Sequence, residues 1–179
     1  MQTLNNGRAV IEHALGGLKV TIPSKKNWFV LIFATLWLGG WAMGFLSVTQ
    51  ELGEGGGSGT GFLTMWLIGW TAGGAMVLFL LFWGFFGKEI LEISSGNLHF
   101  EKSVFGIGIK KELMLSEVKN FRTEKISSGF YGGNRWAFWG LGPGRVKFDY
   151  GLKTYSFGLA VDEAEAEYLA EILSQKIVK

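Results

Sequence analysis

The chain has no cysteine, two prolines and two histidines among its 179 residues. The missing thiols exclude a disulfide-stapled domain, a cysteine nucleophile and any thiolate metal site. His13 and His99 alone do not make a paired-histidine metal motif. Charge is also scarce: 18% of residues are Asp, Glu, Lys or Arg, and the formal net charge is +2. That balance is too small to point to nucleic acid. A hydrophobic share of 48% argues against a disordered tail. The most informative shortage is local, because no Lys or Arg occurs between Lys26 and Lys88.

Two uncharged apolar runs fill that interval, residues 28–48 (WFVLIFATLWLGGWAMGFLSV) and residues 62–86 (FLTMWLIGWTAGGAMVLFLLFWGFF). About 20 apolar residues suffice to cross some 30 Å of hydrocarbon, so both runs read as transmembrane helices. The first begins too late and runs too long for a cleaved signal, and it lacks a small-residue cleavage site, so it reads as a retained anchor. Residues 49–61 join the two as an extracytoplasmic Gly-rich loop with Glu51, Glu54 and no basic residue. Arg8, Lys19, Lys25 and Lys26 precede the first run, and Lys88, Lys102, Lys110 and Lys111 follow the second. The positive-inside rule then places both termini in the cytoplasm of a multi-pass inner-membrane protein.

Gly40 and Gly44 in the first run, and Gly69 and Gly73 in the second, form small-xxx-small pairs at overlapping depths. Such pairs let helix backbones approach closely, so these four are the expected helix-packing positions. The alternatives are glycines without a packing role, or faces that dock on another protein's helix. Neither run holds an ionisable residue. Ion coupling and proton relays use intramembrane ionisable groups, and haem ligation in a bilayer most often uses histidine. The pair therefore reads as an anchor or as part of a larger assembly.

Residues 88–179 are enough for one small domain. Leu98, Phe100 and Val104 alternate with polar neighbours, as do Val146, Phe148 and Tyr150, and Tyr155, Phe157 and Leu159. Ile107, Ile109 and Leu113 share a fourth such face. Period-two alternation with Gly and Asn turns predicts half-buried antiparallel strands. Asp162 caps an expected C-terminal helix whose apolar stripe is Tyr168, Leu169, Ile172, Leu173 and Ile177. Six or so strands closed by one helix describe a mainly-β, pleckstrin-homology-like (PH-like) domain. In the N-terminal segment, residues 1–27, Leu18, Val20 and Ile22 mark a strand at 18–22 that is expected to pair with this sheet. Residues 10–15 fit a short helix or a strand.

The run from Gly17 to Trp28 entering the first span, and the run from Val146 to Gly158 before an Asp-Glu-Ala-Glu-Ala helix, carry a resemblance. They are similar to bacterial membrane proteins built from a two-helix transmembrane hairpin and a small PH-like domain. The similarity covers nearly the whole chain, apart from a glycine-aromatic insert. In layout it is also similar to the photosystem I assembly factor of plastids and cyanobacteria. The resemblance implies a fold and a bacterial inner-membrane location, and it brings no catalytic residue and no cofactor with it.

The insert, residues 128–145, gathers Phe130, Tyr131, Arg135, Trp136, Phe138 and Trp139 among glycines. Either these aromatics complete the domain core in a long hairpin, or they form an exposed loop for the membrane interface or a partner. Lys25, Lys26, Lys88, Lys110 and Lys111 are candidates for anionic-lipid contact. Glu112, Glu117 and Glu124 interleave with Lys110, Lys111, Lys119, Arg122 and Lys125, which reads as a solvated mixed-charge surface. No glycine-rich stretch has the lysine or the strand-loop-helix context of a phosphate loop. The expected function is a non-enzymatic scaffold, assembly factor or accessory subunit. Its expected partners are membrane lipids and another membrane protein or a second copy. A lipid- or ligand-sensing module is the alternative.

Overall fold

A computed structural model describes residues 2–5, 7–14, 17–54, 59–125 and 135–177. The chain divides into two units: residues 28–82, and the remainder, 1–27 with 83–179.

The first unit is a pair of helices, α1 (Trp28–Gly53) and the greater part of α2 (Thr60–Phe86). At about 1.5 Å per residue they measure about 40 Å each, and both are long and apolar enough to cross a membrane. Each outruns its apolar run, α1 continuing through Thr49–Gly53 into the expected loop. The hydroxyls within the helices are internally satisfied. Thr35, Ser47, Thr64 and Thr71 each donate to the carbonyl four residues back. These four hydroxyls have no need of water, which suits an apolar surround.

The second unit is mostly β. Strands β1 (Gln2–Asn5), β2 (Val10–Ala14) and β3 (Gly17–Pro23) precede the helices; β4 (Gly87–Ser94), β5 (Asn97–Val104) and β6 (Ile107–Met114) follow them. The six form one antiparallel sheet in chain order. Between β3 and β4 the ladder runs from Leu18 opposite Ile93 to Pro23 opposite Lys88. The N-terminal segment thus belongs to the β region, and the ambiguous stretch after Arg8 is a strand. The chain leaves the sheet just after Pro23 and re-enters it at Gly87, at one end of the β3–β4 ladder.

Strands β7 (Val118–Thr123), β8 (Val146–Tyr150) and β9 (Lys153–Phe157) make a second antiparallel sheet. A short helix, α3 (Arg135–Phe138), lies between β7 and β8, and α4 (Glu163–Ile177) follows β9 and packs on β7 and β8. Asp162 caps α4 by accepting from the Glu165 amide at 2.8 Å. Leu18, Val20, Leu91, Leu98, Phe148, Phe157, Leu169 and Leu173 are fully buried in one core. Phe148 anchors it, with its ring stacked on Tyr155 and edge-on to Phe100.

One expected face is not covered. Of Ile107, Ile109 and Leu113 on β6, only Leu113 is buried; the two isoleucines are exposed. β6 is the edge of its sheet, and nothing in the described chain packs over that end of it.

Candidate functional site

Part of the glycine-aromatic insert is seated where the chain leaves and re-enters the sheet. The Asn27 side-chain amide donates to the Phe138 carbonyl at 3.1 Å, and the Trp83 indole donates to the Gly140 carbonyl at 3.0 Å. Ser24 is buried there, its hydroxyl donating to the Gly84 carbonyl at 3.0 Å and its amide to that of Gly87 at 2.9 Å. Gly140 has φ +75° and its α-carbon faces the Lys25 carbonyl so closely that a Cβ would lie 2.8 Å from that oxygen. Only glycine satisfies both conditions. Further on, the Arg145 amide donates to the Gly158 carbonyl, and the Arg145 carbonyl accepts from Glu124.

Within this strap Ala137 is fully buried, Phe138 is half-buried and Trp139 is exposed, with the last two rings edge-to-face at 5.8 Å. None of the three belongs to the domain core. The insert therefore does not complete that core through these residues, and the reading of a long core hairpin does not hold for them. Phe130 and Tyr131 lie outside the described residues, as do the side chains of Arg135 and Trp136.

The five candidate lysines divide. Lys25 is half-buried beside the strap, and its pKa is lowered by desolvation first and then by the charges of Arg145 and Arg8. Cation next to cation in a partly dry position is a cost to the fold that an anion would offset. Lys26 is exposed, and Lys88 is half-buried on β4 opposite Pro23 and Ser103. Lys110 and Lys111 sit on β6 and are engaged there. The Lys110 ammonium lies 3.8 Å from the Glu101 carboxylate, and that of Lys111 lies over the Tyr155 ring at 4.7 Å.

The four candidate packing glycines also divide. Gly44 meets the Trp70 indole, with a Cβ there 3.4 Å from the ring; Cβ atoms on Gly40, Gly69 and Gly73 would meet nothing within 4 Å. A glycine outside these four, Gly74, also lies against the other helix, its α-carbon covered by the Trp41 indole. The contact is thus aromatic against glycine, one from each helix, in place of two glycine faces.

Two polar arrangements were not apparent from the sequence. Glu89 is buried on β4, accepting from the Gly158 amide and pairing with the Lys102 ammonium at 2.8 Å. The alternation of β4 puts this carboxylate on the core side, but the sequence does not show what receives it. The second lies in an open cleft of about 530 Å³ lined by residues of β7, β8 and β9. There Asp149 accepts two bonds from Arg122 (2.7 and 3.0 Å), one from Thr154 (2.7 Å) and one from Asn120 (3.2 Å). These donors, Arg122 foremost, hold its carboxyl well below the usual carboxylate range. A carboxylate so saturated is a structural knot and a poor general base. Among the described residues no group of three His, Asp or Glu is placed to hold a metal ion.

No protein-family model matches the sequence, and no curated protein matches it.

Proposed function

We propose that the protein is a membrane-anchored scaffold, assembly factor or accessory subunit of the bacterial inner membrane. In this reading α1 and α2 cross the bilayer, both termini are cytoplasmic, and the β region is a PH-like domain extended by β1–β3. One observation carries the membrane part. Leu36, Met43, Leu46, Phe62, Met65 and Ile68 are each more than half exposed along helices that hold no charge within their apolar runs. In water that surface would drive aggregation, whereas lipid solvates it at no cost.

The orientation rests on the basic residues that flank the two runs and on the acidic Gly-rich stretch between them. The PH-like reading rests on two antiparallel sheets followed by a single helix over the second. Action through contact, without chemistry, is supported by the saturated bonding of Asp149 and by the strap, which holds Trp139 exposed next to the chain's exit point.

The natural absence of cysteine provides the topology test. A Thr60→Cys variant is expected to react with an impermeant maleimide in intact cells, and a Ser95→Cys variant only after lysis. Labelling of Ser95→Cys in intact cells would overturn the orientation. Purification of the full chain in mild detergent tests the scaffold role. A stoichiometric companion that is lost on Trp139→Ser supports it, and a lone monomer opposes it.

A second reading, sensing of anionic lipid, is favoured by the cations around Lys25. It expects the full chain in vesicles to gain thermal stability when phosphatidylglycerol replaces phosphatidylcholine. Lys25→Gln is expected to remove that gain.

A further inference from the structure

Strands β4 and β5, and β5 and β6, are joined by two-residue turns with the same backbone. Ser95 and Gly96 lie at φ +50° and +80°; Phe105 and Gly106 lie at φ +52° and +81°. Left-handed geometry at both central positions favours Asn, Asp or Gly first, because a Cβ is strained there and short polar side chains relieve it. Ser95 comes near that preference. Phe105 goes against it, and its side chain is 68% exposed.

The register locates this turn. Gly87 opposes Val104, and Val104 opposes Ile107, so Phe105 and Gly106 project past the first residue of β4. They reach the level of Phe86, the last residue of α2, and the two rings lie 4.7 Å apart. Ile107 and Ile109, 82% and 60% exposed, continue the apolar surface from the tip for about 7 Å at about 3.4 Å per residue. Beyond them the strand becomes charged at Lys110, Lys111 and Glu112. The other end of β5 carries the polar turn. One hairpin ladder thus has an apolar tip at the end of the apolar helix and a polar tip at the opposite end.

We propose that the β5–β6 tip is a lipid-inserted wedge: Phe105, Ile107 and Ile109 enter the inner leaflet beside the end of α2, with Lys110 and Lys111 at the headgroups. The occupant is lipid because α2 ends at this level and its apolar run reaches Phe86, continuous with the tip. The wedge gives the β region an attachment to the bilayer besides its two covalent links to α1 and α2, which fixes how far it can swing. An aromatic held in a conformation that resists it is accounted for by this role.

The proposal rests on the membrane reading above, and the experiment separates the two. Nitroxide labels are placed on single cysteines in the full chain, reconstituted in phosphatidylethanolamine–phosphatidylglycerol vesicles. Collisions with oxygen report lipid, and collisions with a water-soluble nickel chelate report solvent. Phe105→Cys and Ile107→Cys are expected to show an oxygen-to-nickel ratio several-fold above Ser95→Cys and close to Leu36→Cys on α1. A solvent ratio at both tip positions with lipid at Leu36→Cys overturns the wedge and leaves the membrane reading standing. A solvent ratio at Leu36→Cys overturns both. An immobilised tip label shielded from both reagents means that protein covers the tip, which also overturns the wedge.

Discussion

Trp41 and Trp70 each donate an indole N–H to the other's backbone carbonyl, at 2.9 and 3.2 Å. The Trp41 ring covers Gly74 and the Trp70 ring meets Gly44, so each tryptophan lies on a glycine of the opposite helix. A helix carbonyl has a second lone pair free after its own ladder bond, and an indole N–H in an apolar surround needs an acceptor. The reciprocal arrangement satisfies both donors without an ionisable group.

This clasp sets the first prediction. Trp41→Phe and Trp70→Phe each remove one interhelical hydrogen bond and are expected to cost about 1 kcal/mol, since such bonds within membranes are modest. Gly74→Val places methyls where the Trp41 ring lies and is expected to cost more, about 2 kcal/mol, by overpacking. Gly40→Ala, Gly69→Ala and Gly73→Ala are expected to stay within about 0.5 kcal/mol, as changes at open positions do. Unfolding in mixed micelles, followed by tryptophan fluorescence for the glycine variants and by circular dichroism for all, measures the difference. Equal losses at Gly73 and Gly74 would reject the clasp.

The knot at Asp149 gives a prediction in pH. Its carboxyl is held below its ordinary value when folded, chiefly by Arg122, then by Thr154 and Asn120. The folded state therefore binds the proton less tightly than the unfolded state. The stabilisation is complete above the unfolded pKa, about 3.9, and is lost as pH falls from there toward the depressed folded value. Thermal melts of the wild type between neutral pH and about pH 3 are expected to show this acid loss. Asp149→Asn is expected to have lower stability at neutral pH and a flatter acid limb. An unchanged acid limb in Asp149→Asn would remove the knot as its source.

Most of the β region was legible because its strands each bury one face. Alternation located β5, β8 and β9 at Leu98 and Phe100, Val146 and Phe148, and Phe157, all of which are buried. The same rule misled at Ile107 and Ile109. Period two says that a face is apolar and does not say what covers it, and at this edge strand no cover is found among the described residues. Glycine spacing marked Gly44 in α1 but missed Gly74 in α2 for a related reason. A small-xxx-small pair marks a low surface, but the filler here is an indole whose position depends on the rotation of both helices. The partners of Asp149 were hidden because Asn120, Arg122 and Thr154 come from two other strands. A register shift between Lys119 and Arg122, with Asn120 at φ +54°, brings the β7 pair to it.

Lys25 predicts a slope of the same sign as Asp149, but on the alkaline side. Desolvation, Arg145 and Arg8 lower its pKa from about 10.5, so the folded state binds this proton less tightly than the unfolded state. The fold bears the penalty at every pH below the folded value and loses it as pH rises through that value. Lys25→Gln is expected to raise the melting temperature at neutral pH in detergent and to remove the alkaline-side rise. A lower melting temperature at neutral pH would show that the ammonium contributes more by its contacts than it costs by its charge.

Glu89 is the one buried carboxylate of the described core side, and it ties three strands' worth of chain together through Lys102 and the Gly158 amide. Breaking such a pair from one side leaves the other group without compensation, typically at about 3 kcal/mol or more. Lys102→Met is expected to approach that loss because Glu89 has little water to turn to, while Lys102 itself is partly exposed. Glu89→Leu should cost less than Lys102→Met, since the released ammonium can reach solvent and the amide of Gly158 alone stays unsatisfied. The double variant is expected to be more stable than Lys102→Met. Denaturant titration of the full chain in micelles, read by far-ultraviolet circular dichroism of the β region, gives all three values. A double variant as unstable as the sum of the singles would mean that Glu89 and Lys102 act independently, and that the short contact between them does not stabilise the sheet.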